Sequence, residues 1–293
     1  MAMHPWFTGN GLGVLQQLMR SMRFPGLAAL IYGAIYFIVS RLIYRPIRYP
    51  GGRWYTQAES GARDVWVRTS DGLRLHAWWV EAPGSHLVTL YLHGNGGNVA
   101  RRPGHLREIT AAGSSVLILD YRGFGKSPGR PTEHGLYRDA DAGYDHLIGM
   151  GYEPRQIVAL GESLGSAVAV DLASRRPCAG LILECPFTSL SAMAGIVVPL
   201  AGRLFASGFN TRRKIAGVHV PLLIVHGDRD ATVPYAMGRA VFEAANEPKS
   251  FWTVEGATHV DIVEVAGPLY RARLQAFYES ILSRPGASAG TLT

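Results

Sequence analysis

Short apolar runs recur along this chain at Leu87 to Leu92, Ser115 to Leu119, Ile157 to Leu160, Gly180 to Leu183, Leu222 to Val225 and Phe251 to Val254. Most are separated by stretches with helical spacing, near residues 99–112, 133–149, 164–175, 235–245 and 266–282. A strand covered on both faces reads as a brief continuous apolar run, because neither face needs polar residues. Such strands alternating with helices dictate a doubly wound, mostly parallel sheet. Ahead of them, Asp64–Thr69 and Leu73–Val80 alternate around Ser70-Asp71-Gly72, the pattern of an antiparallel hairpin. The expected fold is α/β: a mostly parallel eight-stranded sheet with helices on both faces and an antiparallel first hairpin.

In such a sheet, ligands bind outside the carboxyl ends of the strands, where strand-to-helix loops converge. Polar residues collect at those positions: His93-Gly94-Asn95, Asp120-Tyr121-Arg122, Ser163, Asp228 with Asp230, and His259. The pattern Gly-x-Ser-x-Gly occurs three times, centred on Ser127, Ser163 and Ser288. A nucleophilic serine needs a sharp strand-to-helix turn, with the N–H of the following residue free to face an oxyanion. Pro128 has no N–H, which disqualifies Ser127. Ser288 sits in a terminal stretch without apolar runs, which reads as a frayed tail. Ser163 follows the run Gln156–Leu160 and precedes Ser166–Ala173, whose small residues suit a helix packed tightly on a sheet.

Six motifs in order resemble the α/β-hydrolase superfamily and, within it, the bud-emergence-type (Bem-like) branch of membrane-associated serine hydrolases. They are Leu92-His-Gly-Asn-Gly-Gly-Asn98, Asp120-Tyr-Arg-Gly-Phe-Gly-Lys-Ser127, Gly161-Glu-Ser-Leu-Gly165, Pro186-Phe-Thr-Ser189, His226-Gly-Asp-Arg-Asp230 with Val233-Pro234, and Gly256-Ala-Thr-His259. The resemblance implies a serine, acid, histidine order, hence Ser163, Asp230 and His259. It selects Asp230 over Asp228 through the pattern His-Gly-x-x-Asp. Asp261 reads as structural, and Asp120, Arg122 and Glu133 read as scaffold pairs. The oxyanion donors it implies are the backbone N–H groups of Asn95 and Leu164. It also implies a short lid over residues 188–215, where Met193, Ile196, Val197, Val198, Leu200, Leu204, Phe205 and Phe209 are apolar. No cofactor and no metal are called for.

The remaining features concern location and partners. Residues 24–40 are uncharged and bracketed by Arg20, Arg23 and Arg41. As a helix they would extend about 25 Å, near the minimum for a bilayer span. An N-terminal hydrophobic helix serving as a single-pass anchor is therefore expected. The spacing of Leu12, Leu15, Met19 and Met22 suits an amphipathic segment before it, and the arginine balance leans towards a cytoplasmic catalytic domain. The division expected is 1–55 for this region, 60–283 for the hydrolase and 284–293 for a disordered tail. The net charge is +7, carried almost wholly by arginine. It suits an anionic surface, and no interleaved basic and aromatic array points to nucleic acid. Cys178 and Cys185, separated by about 23 Å if the chain between them is extended, read as buried free thiols.

These readings converge on hydrolysis of a lipophilic carboxylic ester or thioester through an acyl-enzyme on Ser163. Two alternatives stand beside it: a serine peptidase of aminopeptidase type, and a non-catalytic membrane-attached scaffold, whose sign would be a broken triad.

Overall fold

The computed structural model describes Gly26 and residues 44–197 and 208–284. In chain order the strands are β1 (Arg45–Pro46), β2 (Arg63–Arg68), β3 (Arg74–Val80), β4 (Leu87–Leu92), β5 (Gly96–Gly97), β6 (Ser114–Leu119), β7 (Ile157–Glu162), β8 (Gly180–Glu184), β9 (Leu222–Gly227) and β10 (Lys249–Val254). Eight of them form one sheet in the order β10-β9-β8-β7-β4-β6-β3-β2, while β1 and β5 pair separately. The sheet is mixed. It is parallel from β10 to β6, but β3 runs antiparallel to both β2 and β6. The second reversal follows from the connection between β3 and β4, which is too short for a crossover. That connection turns β4 against β3, and β6, parallel to β4, inherits the opposition.

The period of two along each strand sends alternate side chains to two cores. In β4, Leu90 and Leu92 join a cluster with Leu136, Ala140, Leu147 and Val168. These come from the helices Glu133–Gly149 and Leu164–Arg175. Tyr91, between them, points to the other face with Leu106, Ile109, Leu274 and Phe277. That layer belongs to the helices Pro103–Ala111 and Pro268–Leu282. Burying each such leucine contributes roughly 1.5–3 kcal/mol, so the two faces together define the sandwich. The helical stretch expected over 99–112 is divided: Val99–Arg101 forms a 3₁₀ turn, and a new helix begins at Pro103. Proline cannot donate an interior helical bond but suits the first helical position, so it restarts the helix.

Three expectations meet the structure differently. The single-pass N-terminal anchor, and with it the membrane location and the cytoplasmic orientation, is corrected: among the described residues no helix is long and apolar enough to cross a membrane. The stretch 24–40 falls short of the ~20 apolar residues a span ordinarily uses. Apart from Gly26, it and the amphipathic positions before it lie outside the described residues, as does Ser288. Part of the expected lid is a helix, Leu190–Val197, whose Met193 packs on the core and whose Ile196 is exposed. Val198, Leu200, Leu204 and Phe205 lie outside the described residues. Phe209 is no lid residue: it is buried, edge-on to Tyr137 at 5.8 Å, and completes the core.

The scaffold pairs read from the sequence are built into the frame. Asp120 accepts from Val99 N–H at 2.9 Å and meets His76 at 2.9 Å. Glu133 accepts from the Phe209 N–H at 2.7 Å and from the Tyr137 hydroxyl at 2.6 Å. Arg122 joins Asp139 at 2.7 Å and Asp71 at 2.8 Å, and its N–H also donates to Asp139 at 2.8 Å. The Asp139 side chain is wholly buried, and burial pushes its carboxyl up to about 6 despite the guanidinium beside it. Above that pH it is an ion dependent on one main partner. At pH 8, Arg122→Met should therefore cost about 3–5 kcal/mol by urea unfolding, the range for breaking a buried pair. A loss under about 1 kcal/mol would contradict this account.

Candidate active site

Ser163 stands between β7 and the helix Leu164–Arg175 with φ 51° and ψ −112°. An L-residue at positive φ is strained, and such strain persists only where surrounding contacts impose it. Those contacts are present. The Ser163 N–H donates to the Glu184 carbonyl at 2.8 Å, and the Ser163 carbonyl accepts from the Ser166 N–H at 2.9 Å and its hydroxyl at 2.6 Å. The flanking glycines are required by space. A Cβ at Gly161 would overlap the backbone of Gly165 and Ser166, and one at Gly165 would overlap the Leu92 and His93 carbonyls. The turn therefore brings the start of the helix against the end of β4.

His259 arrives from the loop after β10. Its Nε2 lies 3.0 Å from Ser163 Oγ and its Nδ1 2.7 Å from Asp230 Oδ2. Asp230 follows β9, and its side chain is fully buried. Its other oxygen accepts from the N–H groups of Thr232 and Val233, both at 2.8 Å. Burial alone would raise the Asp230 carboxyl, but hydrogen bonds from His226, His259 and Val233 hold it well below the usual carboxylate range. The carboxylate is thus an ion poised to orient one tautomer of His259, with Nδ1–H donating and Nε2 free to accept from the serine hydroxyl.

The competing residues have other partners. Asp228 is exposed and accepts from the Gly256 N–H at 2.7 Å, bracing the loop that carries His259. Asp261 accepts from the Thr258 N–H at 2.6 Å on the same loop. His226 donates from Nε2 to the Val233 carbonyl at 3.0 Å. His93 is buried, with Nδ1 2.7 Å from the Gly94 carbonyl. Leu164 begins the helix, so its N–H is among those without an intrahelical acceptor. Asn95 is partly exposed in the loop after β4.

A polar layer beneath the turn was not read from the sequence. Glu162 accepts from Arg102 Nε at 2.6 Å, from Arg102 Nη2 at 2.8 Å and from the Tyr91 hydroxyl at 2.7 Å. Burial works against its ionisation, yet Arg102, His105 and Tyr91 hold it well below the usual carboxylate range. Glu184 accepts from Tyr270 and faces His105 at 3.1 Å. Its one sequence signal was a pair of glutamates ending apolar strands. Cys178 and Cys185 are free thiols, as read from the sequence, but only Cys185 is buried and Cys178 is half-buried. Burial, with Asp230 nearby, pushes the Cys185 thiol up, and burial pushes Cys178 up to about 12. Cys185, Asp230 and His259 each bring a potential ligand atom within 4.8 Å of the others. Since Asp230 and His259 are committed to each other and the thiol is held protonated, hydrogen bonding accounts for this cluster.

The depressed Asp230 pKa has a testable sign. Its stabilisation is present above the unfolded value near 3.8 and is lost as pH falls towards the folded value. The urea stability of the unsubstituted chain should exceed that of Asp230→Asn at pH 7, and the gap should shrink as pH falls from about 5 to about 3. A gap that stays constant over that window would refute the assignment of Asp230 as the buried ion.

A family model described as serine aminopeptidase, S33, matches residues 85–215. The uncharacterized protein Rv2307c of Mycobacterium tuberculosis (strain ATCC 25618 / H37Rv) is 40% identical over 237 residues, covering 78% of this chain and 84% of its own. The alpha/beta hydrolase domain-containing protein WAV2 of Arabidopsis thaliana is 34% identical over 233 residues, covering 71% of this chain and 75% of its own. Among solved structures, the Pyrococcus furiosus esterase Pf2001 superposes with a TM-score of 0.69 at 22% identity, covering 81% of this chain and 98% of that one. An alpha-beta hydrolase from Vibrio vulnificus does so with a TM-score of 0.67 at 20% identity, covering 86% and 94%. The solved structures share the fold, and the sequence likeness to WAV2 extends over most of both chains, so the chain belongs to the α/β-hydrolase superfamily.

Proposed function

We propose that this chain is a serine hydrolase of the bud-emergence-type branch that cleaves carboxylic esters or thioesters with apolar acyl groups. The observation that carries the reading is the continuous link from Asp230 through His259 to Ser163, at 2.7 and 3.0 Å. His259 takes the Ser163 proton as Oγ attacks the acyl carbonyl. The Asp230 carboxylate stabilises the imidazolium without itself taking the proton. The N–H groups of Asn95 and Leu164 receive the developing oxyanion. On collapse, His259 gives the proton to the departing alcohol or thiol, leaving an acyl-Ser163 ester. Water then attacks that ester, His259 takes its proton, and the acid departs as Ser163 regains a proton.

The preference for apolar acyl groups rests on the described part of the lid, where Met193 packs on the core and Ile196 is exposed on the helix that follows β8. The likeness in fold to the Pyrococcus furiosus esterase agrees with ester chemistry. A second reading, an aminopeptidase, is favoured by the description of the matching family model. The two separate on substrate: esters of increasing acyl length should be turned over with rising kcat/KM, and aminoacyl p-nitroanilides should not be turned over.

A fluorophosphonate probe should label the full chain, and Ser163→Ala should abolish both labelling and ester hydrolysis. Labelling that survives Ser163→Ala would sink the assignment of the nucleophile. Asp230→Asn should lower kcat by about 10⁴-fold, the loss that follows when a triad histidine is left in the wrong tautomer. Asp228→Asn, which leaves that tautomer alone, should change kcat by less than about tenfold. If the two variants exchanged effects, the acid would be misassigned.

A further inference from the structure

The loop Asn95-Gly96-Gly97-Asn98 has two adjacent glycines at its centre, one of them, Gly97, at φ 92°. Such a loop has little conformational preference of its own. An oxyanion hole nevertheless works only if its donors are aimed before charge develops, because reorienting them during the reaction would cost what they contribute. Something outside the loop must hold it.

On one side the holder is the Arg102–Glu162 pair, since Arg102 Nη2 also donates to the Gly96 carbonyl at 3.3 Å. On the other side it is a segment about fifty residues earlier in the chain. β1 lies parallel to β5, with Arg45 opposite Gly96 and Pro46 opposite Gly97. The Arg45 N–H donates to Asn95 Oδ1 at 2.9 Å, and the Ile47 N–H donates to the Gly97 carbonyl at 3.2 Å. The buried Asn98 side chain donates to the carbonyls of Ile47 at 3.0 Å and Gly51 at 2.8 Å. The same segment is stitched to a second active-face loop, with the Gly125 N–H donating to the Ile47 carbonyl at 3.1 Å and the Tyr49 N–H to the Gly125 carbonyl at 2.9 Å. Both asparagines of the loop therefore spend their side chains on this strap.

We propose that the strap Arg45–Gly51 positions the oxyanion loop for catalysis, with Asn95 used twice: its side-chain oxygen is held by the Arg45 N–H so that its own backbone N–H faces the oxyanion. Arg45 and Ile47 are positioning residues that act through their main chain, and the Asn95 side chain is the joint between strap and hole. The proposal rests on the serine-hydrolase reading above and adds to it a requirement for a segment outside the strand-and-helix core.

The test is steady-state hydrolysis of a p-nitrophenyl ester by the full chain and by Arg45→Pro, Asn95→Ala and their combination. Arg45→Pro deletes the donor, and Asn95→Ala deletes the acceptor while leaving the backbone N–H. Each should lower kcat by about tenfold or more, short of the ~10²–10³ for losing a donor outright, with KM changed less than about twofold. Because both remove one bond, the double variant should be no slower than the slower single one. The conservative Arg45→Ala, which retains the N–H, should recover the rate. Binding of an aryl trifluoromethyl ketone, whose adduct places an oxyanion in the hole, should weaken by the same factor as kcat/KM falls. Should Arg45→Pro fail to fold, Asn95→Ala still decides through the split between kcat and KM and through the ketone.

Wild-type rates in Asn95→Ala or Arg45→Pro would overturn the strap, as would an equal loss in Arg45→Ala or multiplicative effects in the double variant. A full chain that neither hydrolyses esters nor reacts with a fluorophosphonate would overturn the serine-hydrolase reading, and the strap's catalytic role with it.

Discussion

The close approach of the helix Leu164–Arg175 to the end of β4 governs the rest of the site. Gly165 has no room for a Cβ because the Leu92 and His93 carbonyls occupy the space, and Gly161 has none because the backbone of Gly165 and Ser166 does. This contact places Ser163 at positive φ with its hydroxyl above the sheet, and the first helical N–H groups beside the loop that follows β4. A strained serine is tolerable because the hydrogen bonds on both sides of it hold the turn, so the energy comes from the packed sheet and not from the turn itself.

Around that contact the strand ends carry charge where most of the sheet carries hydrocarbon. Glu162 and Glu184, at the ends of neighbouring strands β7 and β8, are each supplied with donors: Arg102 and Tyr91 for one, His105 and Tyr270 for the other. Carboxylates in such positions are tolerable only with full hydrogen bonding, and a satisfied network of this kind is rigid. Asp230 follows the same rule, its partners including the N–H groups of Thr232 and Val233, His226 and His259. The active face is therefore stiff beneath the glycine loop.

Much of this was legible in the chain. The two periodicities, with the apolar runs as strands, announced an α/β fold, and Pro128 removed a false serine motif without any structure. The boundaries that failed did so for identifiable reasons. Pro103 divides a helix that periodicity alone runs together. Phe209 is apolar for the core and not for the lid, because the Glu133 carboxylate draws its N–H inward and Tyr137 packs on its ring. The uncharged stretch 24–40 has an apolar composition suited to a membrane, but apart from Gly26 it lies outside the described residues, among which no helix is long and apolar enough to cross one. The two-strand pairing of Arg45–Pro46 with Gly96–Gly97 left no signal at all, since proline and paired glycines argue against strands.

By itself the sequence determined what depends on neighbours a few residues apart: strand and helix periods, the small residues of the serine turn, the proline that cannot donate and the order of the motifs. Only the tertiary structure decided which distant groups meet. Asp230 and not Asp228 reaches His259, Glu162 takes Arg102, and Asn95 is held by Arg45. Local preferences are set by backbone sterics and side-chain burial within one element. Meetings across fifty or a hundred residues are set by how the elements stack, and a difference of two residues within one loop changes which side chain faces the sheet and which faces water.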